Sequence, residues 1–247
     1  MNSPLHYLLP DWPEQPNIHA VTTLRTGGVS VTPFASLNLA FHVGDNPSHV
    51  AQNRTLIKKN LGLPAEPCWL QQTHSNSFIE APFSVPVPQA DASYTRQANV
   101  VCVVMTADCL PLLVRAEDGS CIAAIHAGWR GLHAGIISNT ILAMPKKKYQ
   151  IWLGPALGGH CFEVGADVYS AFTAKSSTNN QAFKAQANGK WLADIYRLAR
   201  LELAQLGIAE ADIYGGGLCT MTDAGRFYSY RREAQTGRMA TMIWRSE

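Results

Sequence analysis

Long apolar runs, clustered charge and paired cysteines are all scarce in this chain. No stretch approaches the roughly 20 apolar residues that a membrane-spanning helix needs, so no membrane segment is expected. Charged residues make up 15% of the 247 positions, the net charge is +2, and the one basic run is Lys146-Lys147-Lys148. A nucleic-acid-binding face wants a broad basic surface with interleaved aromatics, so that class of partner is excluded. The six cysteines include no CxxC pair, which removes zinc ribbons and thioredoxin motifs. They are too sparse for a disulfide scaffold. Cys102, Cys109 and Cys121 sit in or beside apolar runs, where free cysteine behaves as a small hydrophobe. The eight histidines include no His-x-His pair, so a multicopper cluster lacks its ligands. Residues 1–6 have neither a basic nor an apolar region, so no signal peptide is expected. The protein is expected to be soluble and cytoplasmic, with reduced thiols. Repeats, low-complexity segments and linkers are also missing. Residues 1–247 are therefore expected to form one domain, with the proline-rich residues 1–16 as an N-terminal arm.

What is present centres on residues 99–131. Two apolar runs, Val100–Met105 and Cys121–Ile125, read as buried strands, with Glu117-Asp118-Gly119-Ser120 as the turn between them. The first ends toward Cys109 and the second at His126, so a thiol and an imidazole are expected near one another at the ends of rigid elements. Further strands are expected at Ile18–Leu24, Cys68–Gln72, Ile151–Leu153, Asp212–Tyr214 and Met239–Trp244. Helical spacing covers residues 48–62, with Ser48 as N-cap and Gly62 as the stop. It also covers 131–144, with Ile136, Ile137, Ile141 and Leu142 on the apolar side, then 166–174 and 191–206. Residues 80–89 and 176–188 read as loops. The elements do not follow strict βαβ order, which points to an α+β domain with a mixed sheet.

Three candidate donors follow apolar runs: His74, Cys109 and His126. Zinc accepts thiolate and imidazole, and a catalytic zinc keeps three protein ligands with one open position. The same residues also allow a thiol hydrolase with Cys109 as nucleophile and His126 as base. The His2Cys set is a blue-copper set too, although no methionine is spaced as an axial ligand. Arg25, Arg130, Arg226, Arg231, Arg232 and Arg238 all lie beside glycine, aromatic or hydroxyl residues, and arginine binds phosphate bidentately. Tyr228 and Tyr230 are candidates for stacking on a base.

Eight motifs are similar to one family: TTLRTGGVS (22–30), SLNLAFHVGDNP (36–47), QQTHSN (71–76), ADA (90–92), TADCLPLL (106–113), HAGWRGL (126–132), LGPALGGHCFEVG (153–165) and FYSYRREAQTGRMA (227–240). Together they resemble the YfiH-like, laccase-domain family of purine nucleoside phosphorylases. The resemblance implies a single four-layer α/β/β/α domain with mixed sheets. It implies zinc held by His74, Cys109 and His126, with copper as the alternative metal. It also implies phosphorolysis of adenosine, inosine and methylthioadenosine, together with adenosine deamination. The partners would be a purine nucleoside and phosphate, with the chain a monomer or a homodimer. The family's alternatives are a copper polyphenol oxidase and an editing factor for peptidoglycan precursors. Zinc would activate water for attack on the purine ring, and Asp108, Glu163 or Asp45 would move protons. Arg25, Asn38, Asp45, Asp108, Arg231 and Arg238 are the candidates for binding substrate or phosphate. The loop from Gly159 to Gly165 departs from the family pattern at His160.

Overall fold

A computed structural model describes residues 7–84 and 87–247. The expectation for residues 1–6 therefore lies outside the described residues, as do parts of the expected arm and of the 80–89 loop. In chain order the strands are β1 (Tyr7–Leu8), β2 (Ile18–Thr23), β3 (Phe78–Glu80), β4 (Ala92–Thr95), β5 (Val101–Thr106), β6 (Leu110–Ala116), β7 (Ile122–Ala127), β8 (Tyr149–Leu153), β9 (Glu163–Val164), β10 (Phe183–Ala185), β11 (Trp191–Ala193), β12 (Ile213–Gly215) and β13 (Met239–Arg245). The α-helices are α1 (Pro47–Asn60), α2 (Trp129–His133), α3 (Ile136–Ala143), α4 (Ala166–Lys175) and α5 (Ile195–Gln205).

Two sheets dominate. One has the order β1-β2-β13-β5 and the other β12-β8-β6-β7-β4-β3; a small third sheet is β10-β11-β9. The six-stranded sheet is mixed, since β12 runs parallel to β8 and β3 parallel to β4 while the inner pairs are antiparallel.

Strand periodicity explains the layering. Successive side chains point to opposite faces of a sheet, so a run with no polar position must be buried on both. In β5, Val101, Val103 and Met105 pack with Ile57 of α1 and Leu37 and Leu39, whereas Cys102 and Val104 face the other sheet. In β6 and β7, Leu113, Ile122 and Ala124 face that same inter-sheet core, whereas Leu112, Val114, Ala123 and Ile125 face α3 and α5. The order is therefore helix, sheet, sheet, helices, which is the expected four-layer arrangement with mixed sheets.

Several local expectations are corrected. The central hairpin contains three strands rather than two. Val101–Thr106 lies in the four-stranded sheet, and the turn at 117–120 instead joins β6 to β7. Cys68–Gln72 forms only isolated bridges to Cys102 and Gln89. Asn46, not Ser48, caps α1, because its Oδ1 accepts from the Ser48 amide at 3.0 Å. The helix expected over 131–144 is two helices, broken where Gly135 takes φ 87°, a conformation that costs glycine least. Leu142 then faces solvent, 74% exposed. Residues 191–193 form a strand, and α5 begins only after the Asp194 cap. The 176–188 loop contains a 3-10 turn and β10. Among the described residues, no helix is long and apolar enough to cross a membrane.

Candidate metal centre

Strand register brings the three sequence candidates to one end of the six-stranded sheet. In the β6–β7 ladder, Pro111 pairs with His126 and Leu110 with Ala127, so Cys109 lies beside the end of β7. Ala92 of β4 pairs with Ile125 of β7, and Phe78 of β3 pairs with Ala92. Asp91 and the 73–77 turn therefore flank His126; the amide of His126 donates to the Asp91 carbonyl at 2.7 Å.

The donor atoms of His74, Cys109 and His126 all lie within 4.8 Å of one another. Cys109 Sγ is 3.6 Å from His74 Nε2. The two imidazoles meet edge to face, with ring centroids 4.8 Å apart. Zinc sits about 2.3 Å from sulfur and about 2.0 Å from nitrogen, so tetrahedral ligands end up about 3.5 Å apart. The donor set and spacing fit such an ion. Gly128 supplies the space: a Cβ there would stand 2.8 Å from His74 Cδ2 and 2.9 Å from Cys109 Sγ.

Asp91 organises the centre, and it was not among the residues singled out from sequence. It is fully buried. One oxygen accepts from His126 Nδ1 at 2.8 Å and from the His74 amide at 3.0 Å; the other accepts from the Ser75 amide and hydroxyl, each at 2.7 Å, and from the Thr73 amide at 3.2 Å. Donation from Nδ1 leaves Nε2 as the donor atom turned to the site, the usual outer-shell arrangement of a metal-bound histidine. The same carboxylate holds the backbone of His74, whose φ is 61°, in a left-handed conformation rare for a side-chain-bearing residue. Burial alone would raise the Asp91 pKa, but the hydrogen bonds from His126 and Ser75 hold it well below the usual carboxylate range. Only the motif ADA carries a signal for this residue.

Charge is distributed accordingly. Burial works against a Cys109 thiolate, yet the charge and hydrogen bond of His126, with those of His74, bring its pKa down to about 6. Burial likewise opposes the His126 imidazolium, while Cys109 and Asp91 push it up to about 9.

These residues line a cavity of about 380 Å3, with Asp108, Trp129, Leu157, Phe162, Ile195, Tyr230, Arg231 and Arg238 around it. That volume lies at the lower end of the range of about 300–1,000 Å3 usual for small-molecule sites. Gln72 and His42 also line it, and neither was assigned from sequence. The Gln72 amide exchanges hydrogen bonds with the backbone of Met105, 2.7 Å to its N–H and 2.8 Å to its carbonyl, tying the 71–75 turn to β5. Desolvation and the charges of Arg238 and Arg54 lower the pKa of His42.

The remaining candidates divide. Asp108 lines the cavity with φ 89°, and its oxygens accept from the Thr220 hydroxyl at 2.5 Å and the Arg231 amide at 2.6 Å. Arg25 does not line it: its guanidinium donates to the Ala35 and Ala224 carbonyls and lies 3.5 Å from Glu233. Asn38 and Asp45 are buried and bonded to each other at 2.9 Å, with Asp45 also accepting from Ser30 at 2.6 Å. Asn38 serves the cavity only indirectly, through the Arg238 amide, which donates to its Oδ1 at 3.0 Å. Glu163 is absent from the lining. Arg232 is spent on the carbonyls of Thr220, Met221 and Phe227, and Arg226 on Asp223. Tyr228 is wholly buried with its hydroxyl on Phe34 O at 2.6 Å, so it cannot stack on a base, whereas Tyr230 is 57% exposed.

The family described as multi-copper polyphenol oxidoreductase laccase matches residues 19–246. A Haemophilus influenzae protein named purine nucleoside phosphorylase is 48% identical over 239 residues, covering 95% of this chain and 97% of the relative. The Escherichia coli protein named purine nucleoside phosphorylase YfiH is 45% identical over 242 residues, covering 96% and 98%. A Neisseria meningitidis crystal structure superposes with TM-score 0.93 at 44% identity, covering 98% and 99% of the two chains. YlmD from Geobacillus stearothermophilus superposes with TM-score 0.90 at 28% identity, covering 98% and 96%. The chain belongs to the laccase-like family that includes the YfiH-type proteins named purine nucleoside phosphorylases.

Proposed function

We propose that this protein is a zinc-dependent purine nucleoside phosphorylase, acting on adenosine, inosine and S-methyl-5′-thioadenosine, that also deaminates adenosine to inosine. One observation carries the reading: an N2S donor set shares a cavity with three aromatic side chains and two guanidinium groups. When bound there, zinc supplies Lewis-acid polarisation and activates water.

The chain's own residues supply the rest. Trp129, Phe162 and Tyr230 offer flat apolar surface for a purine. Leu157 and Ile195 are apolar lining that excludes water. Arg231 and Arg238 line the cavity and are assigned to phosphate, which suits a guanidinium fork; each is steadied by backbone carbonyls, those of Cys161 and Glu163 for Arg231 and those of Thr236 and Gly237 for Arg238. In phosphorolysis a phosphate oxygen bonds to C1′ while the C1′–N9 bond breaks and its electron pair leaves with the base. The two arginines orient the attacking anion. Asp91 keeps the His126 tautomer fixed throughout. Of the three carboxylates considered from sequence, Asp108 alone lines the cavity, so proton handling in the deamination is assigned to it.

The test is direct. Purified zinc-loaded protein incubated with adenosine should release adenine and ribose 1-phosphate only when phosphate is present, and inosine without it. The double variant Arg231→Ala/Arg238→Ala should raise the KM for phosphate while leaving inosine formation in place. Zinc-loaded wild type that turns over no nucleoside overturns the reading. Oxygen uptake with a phenol, seen only on copper loading, would transfer it to the oxidase chemistry named in the family's description.

A further inference from the structure

The described residues hold a second group of soft donors, and it lies outside the centre above. The donor atoms of His160, Cys161 and Cys219 are all within 4.8 Å of one another. All the cysteines of the chain are free thiols.

The fold assembles this group from separate segments. A parallel bridge pairs Ala156 with Cys219. The chain then folds back on itself after Gly158, whose carbonyl accepts from the amides of Cys161 at 2.8 Å and Phe162 at 3.1 Å. Gly158 keeps the interior of the group open: a Cβ there would stand 2.8 Å from His160 Cε1 and 3.1 Å from Cys219 Sγ. The Gly158 amide points at Cys219 Sγ, 3.3 Å away.

One imidazole and two thiolates form a soft donor set, suited to zinc and poorly suited to magnesium or calcium. We propose that His160, Cys161 and Cys219 form a second metal site, selective for a thiophilic ion such as zinc and independent of the His74, Cys109 and His126 centre. Its consequence is positional. Phe162 lines the cavity next to Cys161 in sequence, and the Arg231 guanidinium donates to the carbonyls of Cys161 at 3.5 Å and Glu163 at 3.2 Å. An ion on Cys161 thus pins the segment that carries one aromatic wall and steadies the Arg231 guanidinium.

The experiment counts metal on the full chain and needs no nucleoside turnover. Protein carrying no metal-binding tag is loaded with zinc under anaerobic, reducing conditions, desalted and assayed for zinc. Wild type should carry two ions per chain, Cys109→Ser one, and Cys161→Ser/Cys219→Ser one. Replacing zinc with cobalt distinguishes the sites by their sulfur-to-metal absorption. Cys109→Ser should keep the stronger, two-thiolate band, and the double variant the weaker, one-thiolate band. Retention of that weaker band also shows that the double variant is folded. Should it not fold, His160→Ala gives the same readout by weakening only the second equivalent. A wild type that binds a single zinc lost entirely in Cys109→Ser overturns the proposal, as does a double variant or a His160→Ala variant that still binds two with unchanged affinity.

Discussion

Asp91 is the residue on which most of the centre depends, because one carboxylate serves a side chain and a backbone turn at once. Asp91→Asn keeps the volume but removes the charge and one acceptor. Outer-shell changes of this kind cost about 10–100-fold in metal affinity, so the variant should show that loss in a chelator competition while retaining its circular dichroism spectrum. The thiol of Cys109 gives a second prediction, for the metal-stripped protein. Its folded pKa of about 6 is depressed from an unfolded value near 8.5. A depressed acid contributes stability that is present above the unfolded value and is lost as pH falls through the folded one. The thiolate should therefore persist down to about pH 6, and alkylation of Cys109 by iodoacetamide should show its midpoint there. A midpoint above 8 would mean that His126 does not stabilise the anion. At this scale the sequence made the three donors legible but not their support. His74, Cys109 and His126 were candidates by type, with hydrolase and copper readings beside zinc, and the motifs around them rather than their spacing favoured zinc; Asp91 is an ordinary acid between two alanines until the β4–β7 register sets it against His126. The arginines were only partly separable: Arg231-Arg232, beside aromatics, leaned toward a pocket, but tertiary partners alone tie Arg25 to Glu233, spend Arg232 on backbone carbonyls and bring Arg231 to the cavity.

Among the elements, the junction of β7 and α2 is where local geometry most directly controls the chemistry. Gly128 adopts φ −64° and ψ 157° as the residue before α2, a conformation open to any residue. Its glycine is required by the closeness of His74 and Cys109, not by its backbone. Gly128→Ala should therefore remove the zinc of the His74, Cys109 and His126 centre, one equivalent fewer than wild type by elemental analysis, while the urea midpoint of the metal-free protein stays near that of wild type. A large fall in that midpoint would show that the position is structural instead. Strands β5, β7, β8 and β13 were readable as apolar runs, and β2 as an alternation of apolar and polar residues. Strand β6 was not, because Pro111 and Arg115 interrupt its pattern; Arg115 is 2% exposed and survives burial by donating to Gln150 Oε1 at 2.7 Å and to the Pro13 carbonyl. Nothing near it in sequence foretells those partners. The split of the 131–144 helix was missed because a glycine inside an apolar period reads as tolerated until its φ is seen to be positive.

Across the whole molecule, the centre sits where the chain leaves one sheet and enters the other. Thr106 ends β5, Leu110 begins β6, and Cys109 lies on the crossing. A ligand that binds only the folded state stabilises it by about 2.7 kcal/mol at a hundredfold excess over Kd. Zinc should accordingly raise the midpoint of thermal unfolding in Cys161→Ser/Cys219→Ser, and a chelator should reverse the rise. No shift with zinc would mean that the triad does not take up the ion in the folded state. The four-layer order was implied by the motifs and not by spacing, since which apolar face meets which depends on pairings distant along the chain. That crossing also bears on how the protein comes together. A zinc finger can use its ion to start folding, because its ligands lie close along the chain. Here the turn bearing His74 needs Asp91, Asp91 needs β4 against β7, and Cys109 needs both sheets. An ion held by these three residues would therefore be captured late in refolding, and its occupancy would report a finished molecule instead of seeding one.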